Sequence, residues 1–199
     1  MNERQTQADR EPLIRVFCAL LLESTTVSSL HNALLPIQKQ MSGFRWTEPK
    51  RWHITLRFYG NLSRGLAQAV ADAIATLPHA SIPITLRGIG VFPNSQKGRV
   101  AWVGVHDSGT ALQTLYRTVE DISSDLGIPG GDRPFRPHLT IGRAQRGHHP
   151  QIPGDILGTH SPLINTALNQ LVLLHSEPRP TGPVYTRIEP MNGPHSLCS

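Results

Sequence analysis

A chain of 199 residues with 38% hydrophobic and 17% charged residues carries enough apolar material for a folded core, which excludes a disordered protein. The formal charge of +5 favours anionic partners, nucleic acid first, although Lys and Arg are scattered rather than clustered. The longest apolar run, Val16 to Leu22, is too short to span a bilayer, and "MNERQTQADREPLIR" lacks the basic and apolar regions of a secretory signal. Cys18 and Cys198 make neither a disulfide framework nor a CxxC metal pair, so the expected setting is the reducing cytoplasm, with no membrane association.

From Leu13 to Leu22 the apolar run reads as a buried strand. Ser24 then caps a helix through Met41 with Val27, Leu30, Leu34, Ile37 and Met41 on one stripe, which Pro36 should kink or interrupt. Residues 52 to 59 alternate as a strand does and stop at Gly60-Asn61. Leu66, Val70, Ile74 and Leu77 recur at helical spacing up to Pro78. Strands over Ile82 to Phe92 and Arg99 to Val105 flank the turn "PNSQKG". Ser108 is the expected N-cap of a helix carrying Leu112, Leu115, Tyr116, Val119, Ile122 and Leu126 until Gly127 ends it. A Gly/Pro-rich loop leads into a short strand at His138, and residues 144 to 167 read as an irregular loop. Strands over Leu168 to His175 and Val184 to Glu189 complete the pattern. Strands outnumber helices and the connections suit antiparallel pairing, so the expected class is α+β.

Two segments, "RWHITLRFYG" and "RPFRPHLTIGR", each contain His-apolar-Thr-apolar: His53-Ile54-Thr55-Leu56 and His138-Leu139-Thr140-Ile141. About one His-x-Thr triplet is expected by chance in a chain of this composition, so the triplets alone mean little. Strand parity gives them more weight. His53 with Thr55, and His138 with Thr140, each present an imidazole and a hydroxyl on one face, while the intervening apolar residues anchor the opposite face. Arg57 shares the parity of His53. Arg143 has the wrong parity for His138 unless Gly142 bulges the strand. Two imidazoles, two hydroxyls and up to two guanidiniums, without a carboxylate, suit phosphodiester chemistry. One His serves as base and the other as acid, with hydroxyls and Arg on the phosphate oxygens. Zinc is disfavoured because it takes three or four His, Cys or carboxylate ligands, and a serine triad because neither a nucleophile elbow nor a carboxylate accompanies either His.

"HITLRFYG" and "FRPHLTIGR" resemble the two HxTx signatures of the 2H phosphoesterases. Together with "IRVFCAL", "GIGVFPN", "RVAW" and "LVLLHSEPRPTGPVYT" they resemble most the RNA 2′,3′-cyclic phosphodiesterases, formerly called 2′-5′ RNA ligases. The likeness covers roughly residues 13 to 189. It implies two pseudo-symmetric lobes of antiparallel sheet backed by helices, with a central groove carrying both motifs. It implies metal-independent, cofactor-free hydrolysis of an RNA 2′,3′-cyclic phosphate to a 2′-phosphomonoester. His53 would give a proton to the leaving 3′ oxygen, His138 would activate water, and Thr55, Thr140 and Arg143 would hold the phosphate. Arg57 ranks below Arg143, and Phe17-Cys18 stands where the family commonly has Phe-Phe. The expected organisation is one bilobal domain over residues 1–192 (core about 13–189), acting as a monomer, and a flexible tail over 193–199.

Other readings remain open on the sequence alone. The same site suits 2′-5′ RNA ligation, hydrolysis of 2′-5′ linkages or of a small cyclic nucleotide, and a module that binds RNA ends without turnover. Arg136 is equally a phosphate ligand or a surface residue. Phe17, Trp102 and Phe135 are read as core packing before base stacking, His175 and Ser176 as structural, and His148-His149 as a solvated loop.

Overall fold

In a computed structural model of the protein, residues 12–78, 81–94, 96–131, 134–150, 152–157, 161–180 and 182–191 are described; the expected tail and Cys198 lie outside them. The first apolar run forms β1 (Ile14–Leu21), a strand covered on both faces. Val16, Cys18 and Leu20 face one way and Phe17 and Ala19 the other, and all are at most 3% exposed. That double burial explains why the run does not alternate with polar residues. The remaining elements are α1 (Ser24–Gln40), β2 (Phe44–Trp46), β3 (His53–Leu62), α2 (Arg64–Ala75), β4 (Ile82–Phe92), β5 (Val100–Asp107), α3 (Ala111–Asp125), β6 (His138–Ala144), β7 (Leu163–Leu168), β8 (Gln170–Glu177) and β9 (Val184–Ile188).

The expected α+β class is the one observed. Nine strands make one sheet in the order β7-β4-β5-β6-β3-β1-β8-β9, with β2 pairing with β6. Read outward from the middle, two sets of four strands, β3-β1-β8-β9 and β6-β5-β4-β7, each begin with a motif strand. The two halves are therefore joined directly by the motif strands. Their seam is narrow: β3 and β6 share the single pair Ile54↔Leu139. Beyond it, β2 takes the neighbouring place along β6, pairing Trp46 with Gly142 and Phe44 with Ala144.

The helices cover one face. α2 packs against β1 and β8, α3 against β3 and α2, and α1 against β7, where the Thr26 and Thr166 hydroxyls are 2.7 Å apart. Leu30, Leu34, Val70, Leu112 and Val119 from the helices meet Leu20, Ile54, Leu139 and Ile141 from the sheet, all at most 1% exposed. Each such side chain contributes about 1.5–3 kcal/mol of burial. Ile54, Leu139 and Ile141 thus anchor the motif strands from below and leave the opposite face for chemistry.

Several local expectations are corrected. α1 runs through Pro36 to Gln40; Pro36 and Asn32 are exposed, so the carbonyl that loses its partner faces water. Ser24 is the first helical residue, and the cap position is Glu23. The third helix starts at Ala111 rather than after Ser108, and the Asp107 carboxylate accepts the Leu112 N–H at 3.1 Å. β3 passes through Gly60, whose positive φ of 71° sits beside an irregularity in the register with β1. The stretch 144–167 is not wholly irregular, since its end enters β7, an edge strand paired with β4.

Candidate active site

The antiparallel pair Ile54↔Leu139 sets the register of the seam. His53 then lies across from Thr140, and Thr55 across from His138, on the face opposite the helices. Positions related diagonally across two strands are about 7–8 Å apart, so the two imidazoles flank a gap fit for a phosphate. The structure brings His53, Thr55, His138 and Thr140 together as the matched motifs led us to expect, on adjacent strands.

Both rings are held in the same way. His53 Nδ1 lies 2.8 Å from the Arg51 carbonyl and His138 Nδ1 lies 2.7 Å from the Arg136 carbonyl. A carbonyl only accepts, so Nδ1 carries the proton in each ring. Nε2 is left to accept a proton when the ring is neutral, or to give one when it is charged. Both contacts go to the backbone carbonyl two residues earlier, which any residue type supplies, so no residue identity in the sequence marked them. Arg136 is thus a positioning residue through its backbone, while its guanidinium is exposed.

One extra residue in each motif strand decides where the arginines go. Against β1, Ala19 pairs with Thr55 and Cys18 with Arg57, so Leu56 is bulged out of register. Against β5, Trp102 pairs with Thr140 and Ala101 with Gly142, so Ile141 is bulged in the same place. Each bulge turns two consecutive residues to the helix side and returns the third to the motif face. In β6 the pair is Ile141 and Gly142, and Arg143 returns to the site, as a bulge near Gly142 was expected to allow. In β3 the pair is Leu56 and Arg57, and the residue that returns is Phe58.

Arg57 is therefore not a site residue. It is 5% exposed beneath the sheet, paired with the Glu120 carboxylate of α3 and donating to the Pro129 carbonyl. Glu120 in turn accepts the Gly131 N–H at 3.4 Å. Arg57 thereby ties β3 to the start of the loop that leads to His138. Cys18 lies nearby, and burial pushes its thiol up to about 12, which leaves it chemically quiet.

The surroundings of the two imidazoles differ. Around His53 stand Phe17, with ring centroids 4.8 Å apart, and Tyr185, edge-on at 5.2 Å; Phe58 is 5.8 Å from Phe17 and 63% exposed. Around His138 stand Phe92, edge-on at 5.0 Å, and Trp102 at 6.4 Å. Sequence reasoning missed Tyr185 and Phe92, which only the sheet topology brings to the motifs. Phe135 stacks on Tyr116 at 4.7 Å, in keeping with a packing role. His148 is exposed, and His175 lies 3.9 Å from Glu177, away from the motifs.

Burial holds the pKa of His53 below its usual 6.5; the Arg51 carbonyl opposes this, and the charges of Arg143 and His138 lower it further. Those two contributions also place Arg143 and His138 within electrostatic reach of His53. Among the described residues, no three His, Cys, Asp or Glu side chains cluster in a way that could hold a metal ion. No helix among them is long and apolar enough to cross a membrane.

Comparison with known proteins bears on the family and the fold. The family model described as LigT-like phosphoesterase matches residues 26–102. The chain is 30% identical over 183 residues to the RNA 2′,3′-cyclic phosphodiesterase of Thermus thermophilus, covering 88% of each chain. It is 28% identical over 183 residues to the protein of that description from Methanothermobacter thermautotrophicus, covering 88% of this chain and 97% of that one. In fold it matches Escherichia coli LigT crystallised with 3′-AMP, at a TM-score of 0.71 and 21% identity over 89% of this chain and 96% of that one.

Proposed function

The chain belongs to the LigT-like phosphoesterases of the 2H superfamily, and from that premise we propose that it hydrolyses RNA 2′,3′-cyclic phosphate ends to 2′-phosphomonoesters without a metal or other cofactor. The observation that carries the reading is the pair of imidazoles on one face of the seam, each with Nδ1 tied to a carbonyl. Two imidazoles, one to take a proton and one to give it, set on either side of a phosphate, are what an in-line displacement requires. A module that only bound RNA ends would have no need of them.

In the proposed reaction the cyclic phosphate sits between His53 and His138. His138 Nε2 takes a proton from water as the water oxygen bonds to phosphorus. The bond from phosphorus to the 3′ oxygen breaks on the opposite side, and protonated His53 delivers its Nε2 proton to that oxygen. The phosphate stays on the 2′ oxygen. Thr55 and Thr140 donate to the non-bridging oxygens and Arg143 offsets their charge. Phe58 and Tyr185 offer aromatic surface to the terminal base on the His53 side, with buried Phe17 packed beneath them. On this reading the protein works in the cytoplasm, the setting its cysteine usage favours, and as a monomer.

The lowered pKa of His53 has a kinetic consequence. Burial favours the neutral ring, and a docked phosphate anion restores the proton. In the free protein, however, the pH at which His53 gives up its proton lies below the usual 6.5. A proton donor acts only while protonated, so the fraction of free protein with His53 ready to act falls as pH rises through that lowered value. Arg143→Ala removes one of the lowering charges and should move the titration of His53 to higher pH. NMR titration of the His53 ring in the two proteins checks this, and a midpoint that stays in place in the variant would remove Arg143 from the neighbourhood of His53.

Turnover of an oligonucleotide ending in a 2′,3′-cyclic phosphate, with and without EDTA, tests the reading. Equal rates are expected. Activity lost to the chelator and restored by a divalent ion would replace it with a metallohydrolase, and preferential turnover of a 2′-5′ linkage or a small cyclic nucleotide would change the substrate class.

A further inference from the structure

Beside His138, on the same face of the sheet, lies an open recess of about 560 Å³, within the usual range for small-molecule sites. Its floor comes from one row across three strands. Arg87 on β4 pairs with Gly104 on β5, and Gly104 pairs with His138 on β6. Two strand spacings separate Arg87 from His138, about 10 Å, and the residue between them has no side chain. That glycine is required: a Cβ there would stand 2.5 Å from the Arg87 carbonyl oxygen and 2.9 Å from His106 Nε2. Trp102 and His106, two residues to either side of Gly104 along β5, border the bare floor, and Arg136 stands at the wall that leads to His138. Among the described residues, the lining holds two arginines and a histidine and no acidic residue. Arg87 and Arg136 are both exposed, and neither makes an ion pair with a described carboxylate.

We infer that this recess seats the nucleotide that precedes the cyclic-phosphate end, with Arg87 and Arg136 on the phosphate that joins the two. The inference rests on the proposed hydrolysis. A chain that ends in a cyclic phosphate continues in one direction only, so whatever lies beyond the terminal nucleoside belongs to the upstream RNA. The terminal ribose carries the leaving 3′ oxygen and therefore lies toward His53, where Phe58 and Tyr185 present their rings. The other flank of the phosphate, with cations at its rim and an indole at its side, is left for the next nucleotide. Charge fits as well: an internucleotide phosphate is a monoanion, and the described residues of the rim offer guanidiniums without a carboxylate among them. The protein is thus built to read an RNA end and not a free nucleoside cyclic phosphate.

The test compares kcat/KM for a nucleoside 2′,3′-cyclic phosphate with that for a dinucleotide ending in the same cyclic nucleotide. The native protein should prefer the dinucleotide by about tenfold or more, the scale of a charge-assisted hydrogen bond. Arg87→Ala should reduce that ratio toward one. A dinucleotide whose internal phosphate is an uncharged methylphosphonate should lose the preference on the native protein, where folding is not in question. On the methylphosphonate substrate Arg87→Ala should cost little further, because the charge that Arg87 meets is already gone. Equal kcat/KM for both substrates on the native protein, or a preference that survives the methylphosphonate, would overturn the inference while leaving the hydrolysis standing. Failure to turn over either substrate would overturn the hydrolysis itself, and the inference with it.

Discussion

His53→Ala and His138→Ala each lower the turnover of a cyclic-phosphate RNA end by roughly two to four orders of magnitude, the range of a single acid or base. Affinity for the RNA end changes far less, because Thr55, Thr140, Arg143 and the aromatic surfaces remain. The double variant falls well short of the product of the two losses, since both groups serve one transition state. Single-turnover rates and binding of an uncleavable analogue separate these outcomes. A loss confined to KM in either variant would mean that the imidazole only binds. The expectation depends on Nδ1 of each ring being tied to a carbonyl at 2.8 and 2.7 Å, which leaves Nε2 alone to meet the substrate.

The second large effect concerns stability. Arg57→Met leaves Glu120 without its guanidinium and the Pro129 carbonyl without a donor, in a place where the Arg57 side chain is 3% and that of Glu120 20% exposed. Breaking a buried pair from one side costs about 3–5 kcal/mol, and the partial exposure of Glu120 argues for the lower end. In a protein of this size that lowers Tm by roughly 6–12 °C. Adding Glu120→Gln removes the stranded charge and should recover a good part of the loss. Thermal unfolding of the three proteins checks this, and a single variant that melts within about 2 °C of the native protein would show that the pair carries little weight. Because Arg57 joins β3 to the loop before His138, across a seam with one strand pair, the folded single variant should also lose part of its kcat.

How the sequence relates to this site turns on strand parity. Parity placed His53 with Thr55 and His138 with Thr140 correctly, because no irregularity falls within either triplet. It failed one residue later. The bulges at Leu56 and Ile141 reverse the count, sending Arg57 below the sheet and returning Arg143 above it. Nothing in "TLRF" marks an extra residue, since a bulge is a relation between two strands and not a property of one. Gly142 was the one hint, and it lies beside the bulged residue. The short strands β2 and β7 escaped for a similar reason. Three and six residues long, they owe their form to β6 and β4 beside them rather than to periodicity. Tyr185 was beyond reach of local reading: it arrives on β9, and its contact with His53 exists only because β1 and β8 lie between their strands in the sheet.

The position of the phosphate in the product tests the account most directly. An RNA oligonucleotide with a 2′,3′-cyclic phosphate end, treated with the protein, should yield a 2′-phosphate and a free 3′-hydroxyl, because His53 protonates the 3′ oxygen while His138 activates the water. A product carrying its phosphate on the 3′ oxygen would contradict that assignment and exchange the two roles.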